Sequence, residues 1–398
     1  MMRMDFDAVI VGGGPSGATA ANDLAMAGRK VLLLDRAGRI KPCGGAVPPR
    51  LLEDFDIPHS LLVARARSAR MIAPSDRSVD MPVGEIGFVG MVDRDVFDEW
   101  LRKRAAANGA ERLKGIFESI ERDDEDGAII CYRETRGGDL HKVRARLVIG
   151  ADGARSKVAR QNIPGGGEVP CVYAYHEVIR SPKSTSQGFD ASRCDVFYQG
   201  KLSPDFYGWI FPHGETSSVG VGSANKGFSL RSAVSEMRDD LGLAECETVR
   251  CEGAPIPLKP LKRWDNGRDV IVAGDAAGVV APASGEGIYY AMTCGRMAAQ
   301  AADEFLTSRN PATLKLARKR FMREHGRVFW ILRIMQHFWY SSDKRRERFV
   351  DMCADRDVQQ LTWQAYMNKR LVRAKPLAHL RIFLKDCAHL LGLRPVAQ

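Results

Sequence analysis

The first 36 residues contain the pattern that most constrains the fold. A short apolar run from Asp7 to Val11 has strand-forming residues, and the glycine-rich turn Gly12 to Gly17 follows it at once. An alanine-rich helix is expected from Ala18 to Ala27, and a second strand from Lys30 to Leu34. Strand, glycine-rich turn and helix in this order are typical of a dinucleotide-binding fold, in which the helix N-terminus faces the phosphates. The pattern therefore predicts an α/β protein with a bound dinucleotide.

Individual residues of this turn have distinct expected roles. Gly12 permits a tight turn, Gly14 lets the backbone approach a pyrophosphate, and Gly17 lets helix and strand pack closely. Asp35 ends the second strand, 18 positions after Gly17, where its carboxylate would accept hydrogen bonds from an adenosine ribose. The glycines alone would be a weak indication of a nucleotide site. A strand, a glycine-rich turn, a helix, a second strand and an acidic residue in this order are specific for a dinucleotide-binding site. The neighbouring residues that we assign to the same site are Ser16 and Arg36.

Two distant segments repeat one design, an apolar strand that ends in a Gly/Asp turn. They are residues 147–156, which include Asp152, and residues 270–278, which include Asp275. They resemble the second and third signatures of the flavoprotein hydroxylase superfamily, which has a glutathione-reductase-like fold. The resemblance implies a Rossmann-type domain that binds FAD, with Asp275 on the ribityl chain of the flavin.

The same resemblance implies further cofactor contacts. Arg94 matches an arginine that family members place on the cofactor. Gly285, Gly287 and Ile288 begin a helix whose backbone N–H groups would face the pyrimidine edge of the flavin and stabilise its anionic reduced form. Gly278 stands where the hydroxylases usually carry His, which argues against a hydroxylase.

A second motif lies between residues 204 and 222. The pattern Tyr-x-Trp-x-Phe-Pro, seven residues, then Gly-x-Gly resembles the geranylgeranyl reductase family, as does Pro42-Cys43-Gly44-Gly45. The resemblance covers about residues 1–300 and is strongest for the branch that acts in chlorophyll and bacteriochlorophyll synthesis. It implies that a flavin saturates three of the four double bonds of a geranylgeranyl group, on the diphosphate or on an esterified pigment, to give phytyl. The matching residues are Tyr207, Trp209, Phe211, Pro212, Gly220 and Gly222.

The chemistry of an isolated double bond suggests which residues act. No carbonyl group stabilises the charge, so a hydride adds only if a proton reaches the neighbouring carbon. Cys43 is the candidate donor, because a thiol is mostly protonated at neutral pH, and Gly44 and Gly45 would let its backbone lie close to the flavin. Tyr207 and Trp209 alternate along a strand and are expected to line one face of the substrate cavity, where their π faces attract a cation-like carbon.

Several other functions fit parts of the pattern. A reductase of archaeal type would share the motifs but act on prenylated glycerolipids, and a flavin hydroxylase would add oxygen. A non-catalytic prenyl carrier would resemble the Rab dissociation inhibitors, although the intact flavin signatures argue against it. The sequence has no second glycine-rich frame for a nicotinamide, so NADPH would visit the flavin transiently, or reduced ferredoxin would deliver the electrons.

The predicted domains are discontinuous. A flavin-binding frame takes residues 1–65, 90–160 and 262–310, a substrate-binding cap takes residues 66–89 and 161–261, and a helical region follows from 311 to 398. The cap is expected to form a sheet over the flavin that encloses a substrate cavity. Its predicted strands are Cys171 to Ile179, Cys194 to Tyr198, Gly208 to Phe211 and Ser217 to Val221, with a helix from Leu230 to Leu241.

The C-terminal region carries the basic charge of the chain. The net charge is +10, yet residues 311–398 contain 19 Lys and Arg against 7 Asp and Glu, a net +12. Residues 328–340 have a wide aromatic face, and Lys344, Arg345, Arg346 and Arg348 are expected as an exposed basic cluster. Both a core-packing helix and an interfacial membrane helix have this composition, and the basic excess favours contact with an anionic membrane surface.

Other features of the composition bear on location and partners. Nine cysteines lie far apart without a Cys-x-x-Cys pair, and no apolar signal segment precedes the first strand, which fits the cytoplasm. No nucleic-acid module is visible, and we expect no metal site.

Overall fold

The computed structural model describes residues 5–36, 41–122, 127–182 and 188–369. The chain divides into two units, each built from three segments. The first contains Met1–Lys41, Arg94–Cys171 and Pro255–Phe329, and the second contains Pro42–Asp93, Val172–Ala254 and Trp330–Gln398. The domain boundaries inferred from the sequence differ from this division, chiefly at residues 42–65 and 311–329, and they stay a prediction.

The secondary structure of the described residues alternates between strands and helices. The strands are β1 (Phe6–Val11), β2 (Val31–Asp35), β3 (Ala46–Val47), β4 (Leu62–Ala66), β5 (Ser68–Ile72), β6 (Ser78–Pro82), β7 (Val89–Val92), β8 (Glu111–Lys114), β9 (Ile116–Glu121), β10 (Ala128–Arg133), β11 (Leu140–Gly150), β12 (Cys171–Arg180), β13 (Arg193–Phe197), β14 (Gly208–His213), β15 (Thr216–Ser223), β16 (Thr248–Pro257) and β17 (Val270–Val272). The α-helices are α1 (Pro15–Met26), α2 (Pro49–Asp54), α3 (Arg94–Ala107), α4 (Lys157–Asn162), α5 (Leu230–Asp240), α6 (Ile288–Ser308), α7 (Lys315–Trp339), α8 (Asp343–Met352) and α9 (Arg356–Asn368).

The first unit contains a sheet in the order β8-β2-β1-β11-β10-β9, with β17 paired to the C-terminal half of β11. Strands β8, β2, β1, β11 and β17 run parallel to one another, whereas β10 is antiparallel to both β11 and β9. Val9 pairs with Leu32 on one side and Val148 on the other, and all three are buried. Continuous apolar strands of this kind are typical of a parallel sheet covered on both faces, and they confirm the predicted α/β frame.

Helices α1 and α6 pack closely in this unit. Gly295 of α6 lies against the backbone of Ser16, where an added Cβ would come within 2.9 Å of the Ser16 carbonyl carbon. The first half of α7 packs on α6 through aromatic rings, with Phe329 and Phe321 at 5.0 and 6.3 Å from Tyr290. Both contacts hold helix α6 in place, and α6 begins at the predicted flavin-binding segment.

The second unit contains a sheet in the order β16-β12-β15-β14-β13-β5-β6 and a small sheet, β3-β7-β4. The predicted strands at residues 171, 194, 208 and 217, and the helix at 230, are confirmed to within a few residues. One face of the large sheet is covered by α5, through a buried cluster that includes Ile210, Val221 and Met237. The opposite face carries Trp209 and Phe211, because side chains alternate along β14.

Helices α8 and α9 belong to the second unit and pack on its strands through Cys353, Trp363 and Met367. Arg346 is 2% exposed and donates to the carbonyl oxygens of Pro204 and Tyr340, both at 2.5 Å, and to Asp343 at 2.6 Å. The expectation that Arg346 belongs to an exposed basic cluster is therefore wrong, because its guanidinium is buried and binds backbone carbonyl groups. Lys344 and Arg345 are exposed as expected. In the part of the chain that the structure describes, no helix has the length and apolar character needed to cross a bilayer.

Candidate active site

The glycine-rich turn after β1 is shaped by close backbone contacts. Gly12 has a φ of +103°, and an added Cβ would lie 2.6 Å from the carbonyl carbon of Ala151. A Cβ on Gly17 would collide with the carbonyl oxygen of Gly12. Both positions therefore require glycine, so that α1 can begin directly beneath the turn.

The N-terminus of α1 has the properties of an anion site. Helix α1 begins at Pro15, its cap residue Gly14 offers no side-chain acceptor, and the first turn contains no acidic residue. The hydroxyl Oγ of Ser16 is buried and has no hydrogen-bond partner among the described residues. Backbone N–H groups, the helix dipole and this hydroxyl fit a pyrophosphate, so the residues present fit the phosphate part of a dinucleotide.

Asp35 lies at the end of β2 beside the same turn. The backbone N–H groups of Gly13 and Arg36 act on its carboxylate, and Arg102 Nη1 lies 3.6 Å from Oδ2. Burial raises the pKa of Asp35 above its ordinary value, although these contacts oppose the shift. A partly buried carboxylate at the end of the second strand fits a ribose, whose hydroxyl groups would replace lost hydration. The side chain of Arg36 is exposed.

Asp275 lies in a short 3₁₀ turn, Gly274–Ala277, directly after β17. Its carboxylate is 6% exposed and pairs with Lys41. Gly274 brings this turn against α1, because an added Cβ would lie 2.7 Å from Ser16 Cβ. The fold thus brings Asp275 and Ser16 to the same end of the first sheet from positions that are far apart in the sequence.

Two other predicted cofactor residues have protein partners in the structure. Asp152 accepts from Ser156 Oγ at 2.5 Å and from the N–H of Lys157 at 2.7 Å, so it caps α4, and burial raises its pKa. Arg94 forms a buried pair with Asp98, with Nη2–Oδ2 at 2.7 Å and Nε–Oδ1 at 2.8 Å. Their cofactor roles stay predictions.

Helix α6 begins where the sequence predicts it. Its first residue is Ile288, its cap residue is Gly287, and no side chain caps the N-terminus. Gly285 has a φ of +65° in the turn before it. The backbone N–H groups of this first turn are suited to a partly anionic ligand, and the role of Gly285, Gly287 and Ile288 at the flavin stays a prediction.

The aromatic motif forms a row of rings in the second unit. Tyr207 and Trp209 are both buried, with ring centroids 6.0 Å apart, and Phe211 lies 6.2 Å from Trp209. This contact is consistent with the prediction that Tyr207 and Trp209 share a face, and Phe211 is a further member of the row. Phe206 stacks on Tyr207 at 4.2 Å. The four rings thus form one continuous aromatic cluster.

The two glycines of the motif make room for these rings. Gly220 on β15 pairs with Trp209 on β14 and with His176 on β12. A Cβ on Gly220 would lie 2.6 Å both from Trp209 Cε2 and from His176 Cβ. A Cβ on Gly222 would lie 2.7 Å from Phe206 Cδ1. The Gly-x-Gly of the motif is thus the steric complement of its aromatic residues.

A directed chain of hydrogen bonds holds the Trp209 indole. Trp209 Nε1–H donates to Ser218 Oγ at 3.1 Å, and Ser218 Oγ lies 2.8 Å from His176 Nδ1. His176 Nε2 lies 3.0 Å from Glu252 Oε2. Glu252 accepts from His176 Nε2–H, and the Ser218 hydroxyl, which accepts from the indole, connects Trp209 to His176 Nδ1. The sequence analysis missed His176, Ser218 and Glu252, because single polar residues in strands give no signal.

Cys43 lies in the loop before β3, in the same unit as the aromatic row. Its side chain is half-buried, and its Sγ accepts from the N–H of Gly45 at 3.4 Å. An added Cβ on Gly44 would lie 2.8 Å from the Phe211 ring, so this loop packs directly on the motif. His213 contacts the loop as well, with Nε2 3.0 Å from the Gly44 carbonyl oxygen. The predicted cofactor role of Gly44 and Gly45 stays a prediction.

Comparison with known proteins agrees with this geometry. A family model described as pyridine nucleotide-disulphide oxidoreductase matches residues 6–188. A geranylgeranyl diphosphate reductase of Rhodobacter capsulatus is 57% identical over 98% of this chain and 99% of its own length. Digeranylgeranylglycerophospholipid reductase 2 of Methanopyrus kandleri is 29% identical over 98% of this chain and 100% of its own length.

A solved structure shares the fold. The crystal structure of a geranylgeranyl bacteriochlorophyll reductase-like protein from Thermoplasma acidophilum superposes with a TM-score of 0.80. It covers 94% of this chain and 99% of that chain at 23% identity. The parallel sheet, the glycine-rich turn and the acidic residues around it define a flavoprotein oxidoreductase. Within that class, the full-length similarity is decisive, and the chain belongs to the geranylgeranyl diphosphate reductase family.

Proposed function

We propose that this protein reduces a geranylgeranyl group to phytyl, by saturating three of its four double bonds in chlorophyll or bacteriochlorophyll synthesis. The observation that carries this proposal is the aromatic row of the second unit together with 57% identity to a geranylgeranyl diphosphate reductase. The relative that acts on glycerolipids has about half that identity, which favours the diphosphate or pigment ester over a lipid ether.

FAD would bind the first unit through the α1 N-terminus, Asp35 and Asp275, and it would supply the hydride. The second unit would bind the prenyl chain. The rings of Tyr207 and Trp209 are buried, and that of Phe211 is partly buried. Their π surfaces would contact the unsaturated chain and stabilise positive charge at the carbon that receives the hydride. A dry aromatic surface also excludes water, which would otherwise capture a cation-like carbon.

Cys43 would supply the proton. Its Sγ is half-buried and lies in a loop that packs on Phe211, so it is close to the surface that would hold the chain. The proton would go to the less substituted carbon of the double bond, which leaves positive charge on the methyl-bearing carbon beside the aromatic rings. Gly45 N–H donates to Sγ and would stabilise the thiolate that remains.

The electron donor and the form of the substrate are finer points of the same proposal. NADPH visiting the flavin is our preferred donor, and reduced ferredoxin is the alternative. The sequence contains a single glycine-rich nucleotide turn, which is compatible with either donor. The substrate would be the free prenyl diphosphate or the geranylgeranylated pigment. We do not assign a nucleic-acid partner.

The proposal is tested by reducing the purified flavoprotein anaerobically with NADPH and then adding geranylgeranyl diphosphate or the geranylgeranyl pigment. Mass spectrometry should show products heavier by two, four and six hydrogens and no oxygen incorporation. An oxygenated product would indicate a hydroxylase, and a colourless protein that binds prenyl chains would indicate a carrier.

The role of Cys43 is tested separately with Cys43→Ser. Flavin reduction by NADPH should keep its rate, whereas alkene reduction should slow by about 10² to 10⁴, the usual contribution of a general acid. Cys251→Ser is the matched control, because Cys251 is exposed. Equal turnover in Cys43→Ser and the control would assign the proton to water or to another residue.

We also propose peripheral contact with an anionic membrane through the exposed face of α7. Trp330 is 65% exposed and Ile334 is 48% exposed, one helical turn apart. Arg327, Arg333 and His337 are exposed within a turn of them, and Lys344 and Arg345 follow. Exposed aromatic and cationic groups on one helix face are typical of an interfacial helix. Trp339, Tyr340 and Phe329 are buried, so only part of the predicted aromatic face is available to a membrane.

A further inference from the structure

His213 lies between two hydrogen-bond acceptors. Its Nδ1 is 3.0 Å from Asp93 Oδ1, and its Nε2 is 3.0 Å from the carbonyl oxygen of Gly44. Neither an ionised carboxylate nor a carbonyl oxygen can donate, so each ring nitrogen must carry a hydrogen. His213 is therefore an imidazolium when both bonds are made. His176 contrasts with it, because the Ser218 hydroxyl can donate to one of its nitrogens.

Asp93, which accepts from His213 Nδ1, is itself held in its charged form. The hydrogen bond from His213 lowers the pKa of Asp93, and the positive charges of His213 and Arg250 lower it further. Burial acts in the opposite direction but is outweighed. Asp93 is thus ionised throughout the neutral range. The His213 side chain is 8% exposed, so water competes weakly for its two N–H groups. On neighbouring β4, Arg65 is turned towards His59 and Phe88.

One peptide bond connects His213 to Cys43. The carbonyl group of Gly44 and the N–H group of Gly45 belong to the same planar amide. The carbonyl accepts from His213, and the N–H donates to Cys43 Sγ at 3.4 Å. Asp93, His213, this amide and the thiol therefore form a continuous chain in which each donor polarises the next.

The loop is built around the imidazole. Gly45 has a φ of +70°, and an added Cβ would lie 2.5 Å from both His213 Cε1 and the carbonyl oxygen of Val92. The N–H of Val92 donates to the Gly45 carbonyl at 3.0 Å. The Gly44 carbonyl is thus held by His213 and the Gly45 carbonyl by Val92, and these bonds on both sides of the Gly45 Cα fix the direction of the Gly45 N–H towards sulfur.

We propose that Asp93 and His213 are positioning residues that polarise the Gly44–Gly45 amide and so stabilise the Cys43 thiolate after proton transfer. This rests on the proposed role of Cys43. In that step the S–H bond breaks, a C–H bond forms on the prenyl chain, and sulfur keeps the electron pair. The neighbouring carbon receives the hydride, and the thiolate then takes a proton from water to restore the thiol.

Asp93→Asn separates the charge of His213 from its hydrogen bond. The side-chain amide that this substitution introduces can donate to Nδ1, so the ring can be neutral in the variant while Nε2–H still binds Gly44. Alkylation of Cys43 by iodoacetamide, followed by peptide mass spectrometry from pH 5 to 10, reports its thiolate fraction. At pH 7 we expect Cys43 to react about three- to tenfold more slowly in Asp93→Asn than in the wild type. Cys251, which is exposed, serves as the internal control in every sample.

His213→Gln is the second variant, because it removes the charge with a side chain that can still donate to Gly44. It should shift the Cys43 curve in the same direction and lower kcat for alkene reduction more than it changes KM, with FAD content unchanged. Cys43 curves that coincide with the wild type in both variants would overturn the inference. A shifted curve with unchanged turnover would instead support the polarised amide and contradict the proposed role of Cys43 as proton donor.

Discussion

The indole of Trp209 lies over Gly220 of the neighbouring strand. The two residues pair across β14 and β15, and an added Cβ on Gly220 would be 2.6 Å from Trp209 Cε2 and also from His176 Cβ. The glycine therefore sets the position of the indole, and the Ser218–His176–Glu252 chain sets its orientation. The position of Trp209 is thus fixed by its close contact with Gly220 and by the hydrogen bond at its Nε1.

Gly220→Ala should displace the Trp209 ring. We expect alkene reduction to fall by about tenfold or more, because a misplaced group of this kind costs that much in a preorganised site. FAD content should be unchanged, because Gly220 belongs to the second unit. Gly227→Ala is a matched control, since a Cβ there would lie 3.5 Å from its nearest neighbour. Equal rates in the two variants would contradict the steric role of Gly220.

Glu252→Gln should weaken the chain behind Trp209 in a pH-dependent manner. Burial raises the pKa of Glu252, but the hydrogen bond from His176 and the charge of Arg250 bring it below its ordinary value of 4.5. A lowered folded-state pKa gives stability that is present above the unfolded pKa and is lost as pH falls through the folded one. We expect a loss of about 1 to 2 kcal/mol at pH 7 that shrinks below about pH 4.

Urea unfolding at pH 7 and pH 3.5 measures this difference. Glu215→Gln serves as the control, because that side chain is 94% exposed and should be silent at both pH values. A pH-independent loss in Glu252→Gln would mean that the charge of Glu252 does not contribute.

Asp275→Ala should weaken FAD binding. The ribityl hydroxyls would lose a charged acceptor, and such a bond contributes about 1.5 to 3 kcal/mol, or roughly ten- to a hundredfold in Kd. Lys41→Met is the comparison variant, because Lys41 pairs with Asp275 and its replacement leaves the Asp275 carboxylate in place. Its Kd should change by about threefold or less. Titration of the apoprotein by flavin fluorescence measures both, and wild-type affinity in Asp275→Ala would remove this residue from the site.

Arg346→Met should destabilise the second unit by about 3 kcal/mol, because it removes the guanidinium that donates to the carbonyl groups of Pro204 and Tyr340. Arg345→Met is the matched control on the exposed side of α8 and should change stability by about 0.5 kcal/mol or less. Guanidinium unfolding compares the two. Similar midpoints would show that Arg346 is dispensable to packing.

Charge reversal at Lys344 and Arg345 should reduce binding to anionic vesicles by about tenfold or more in roughly 0.1 M salt. Reversal of Lys103 and Lys226 makes the same change in net charge at exposed positions elsewhere, and it should reduce sedimentation less. Trp330→Ser with Ile334→Ser should weaken the binding that remains in high salt. Equal losses in both charge-reversed proteins would mean that net charge alone, rather than this surface, drives binding.

The dinucleotide turn was predictable because its signals are local. Gly12, Gly14 and Gly17 follow one another within a single turn, and the strand before them and the helix after them have distinct periodicities. The strands around residues 171, 208 and 217 were predictable for the same reason. Arg346 was not, because a basic residue gives one sequence signal whether its guanidinium meets water or buried carbonyl groups.

The sequence by itself determined the class of fold, the family resemblance and the aromatic motif, since these depend on residue types at short and fixed spacings. Only the tertiary structure decided which polar residues serve the motif. Asp93 and His213 are 120 positions apart, and His176 and Glu252 are 76 positions apart. Strand pairing brings such residues together. Their donors and acceptors then determine which atoms carry hydrogens, and this arrangement exists only in the folded chain.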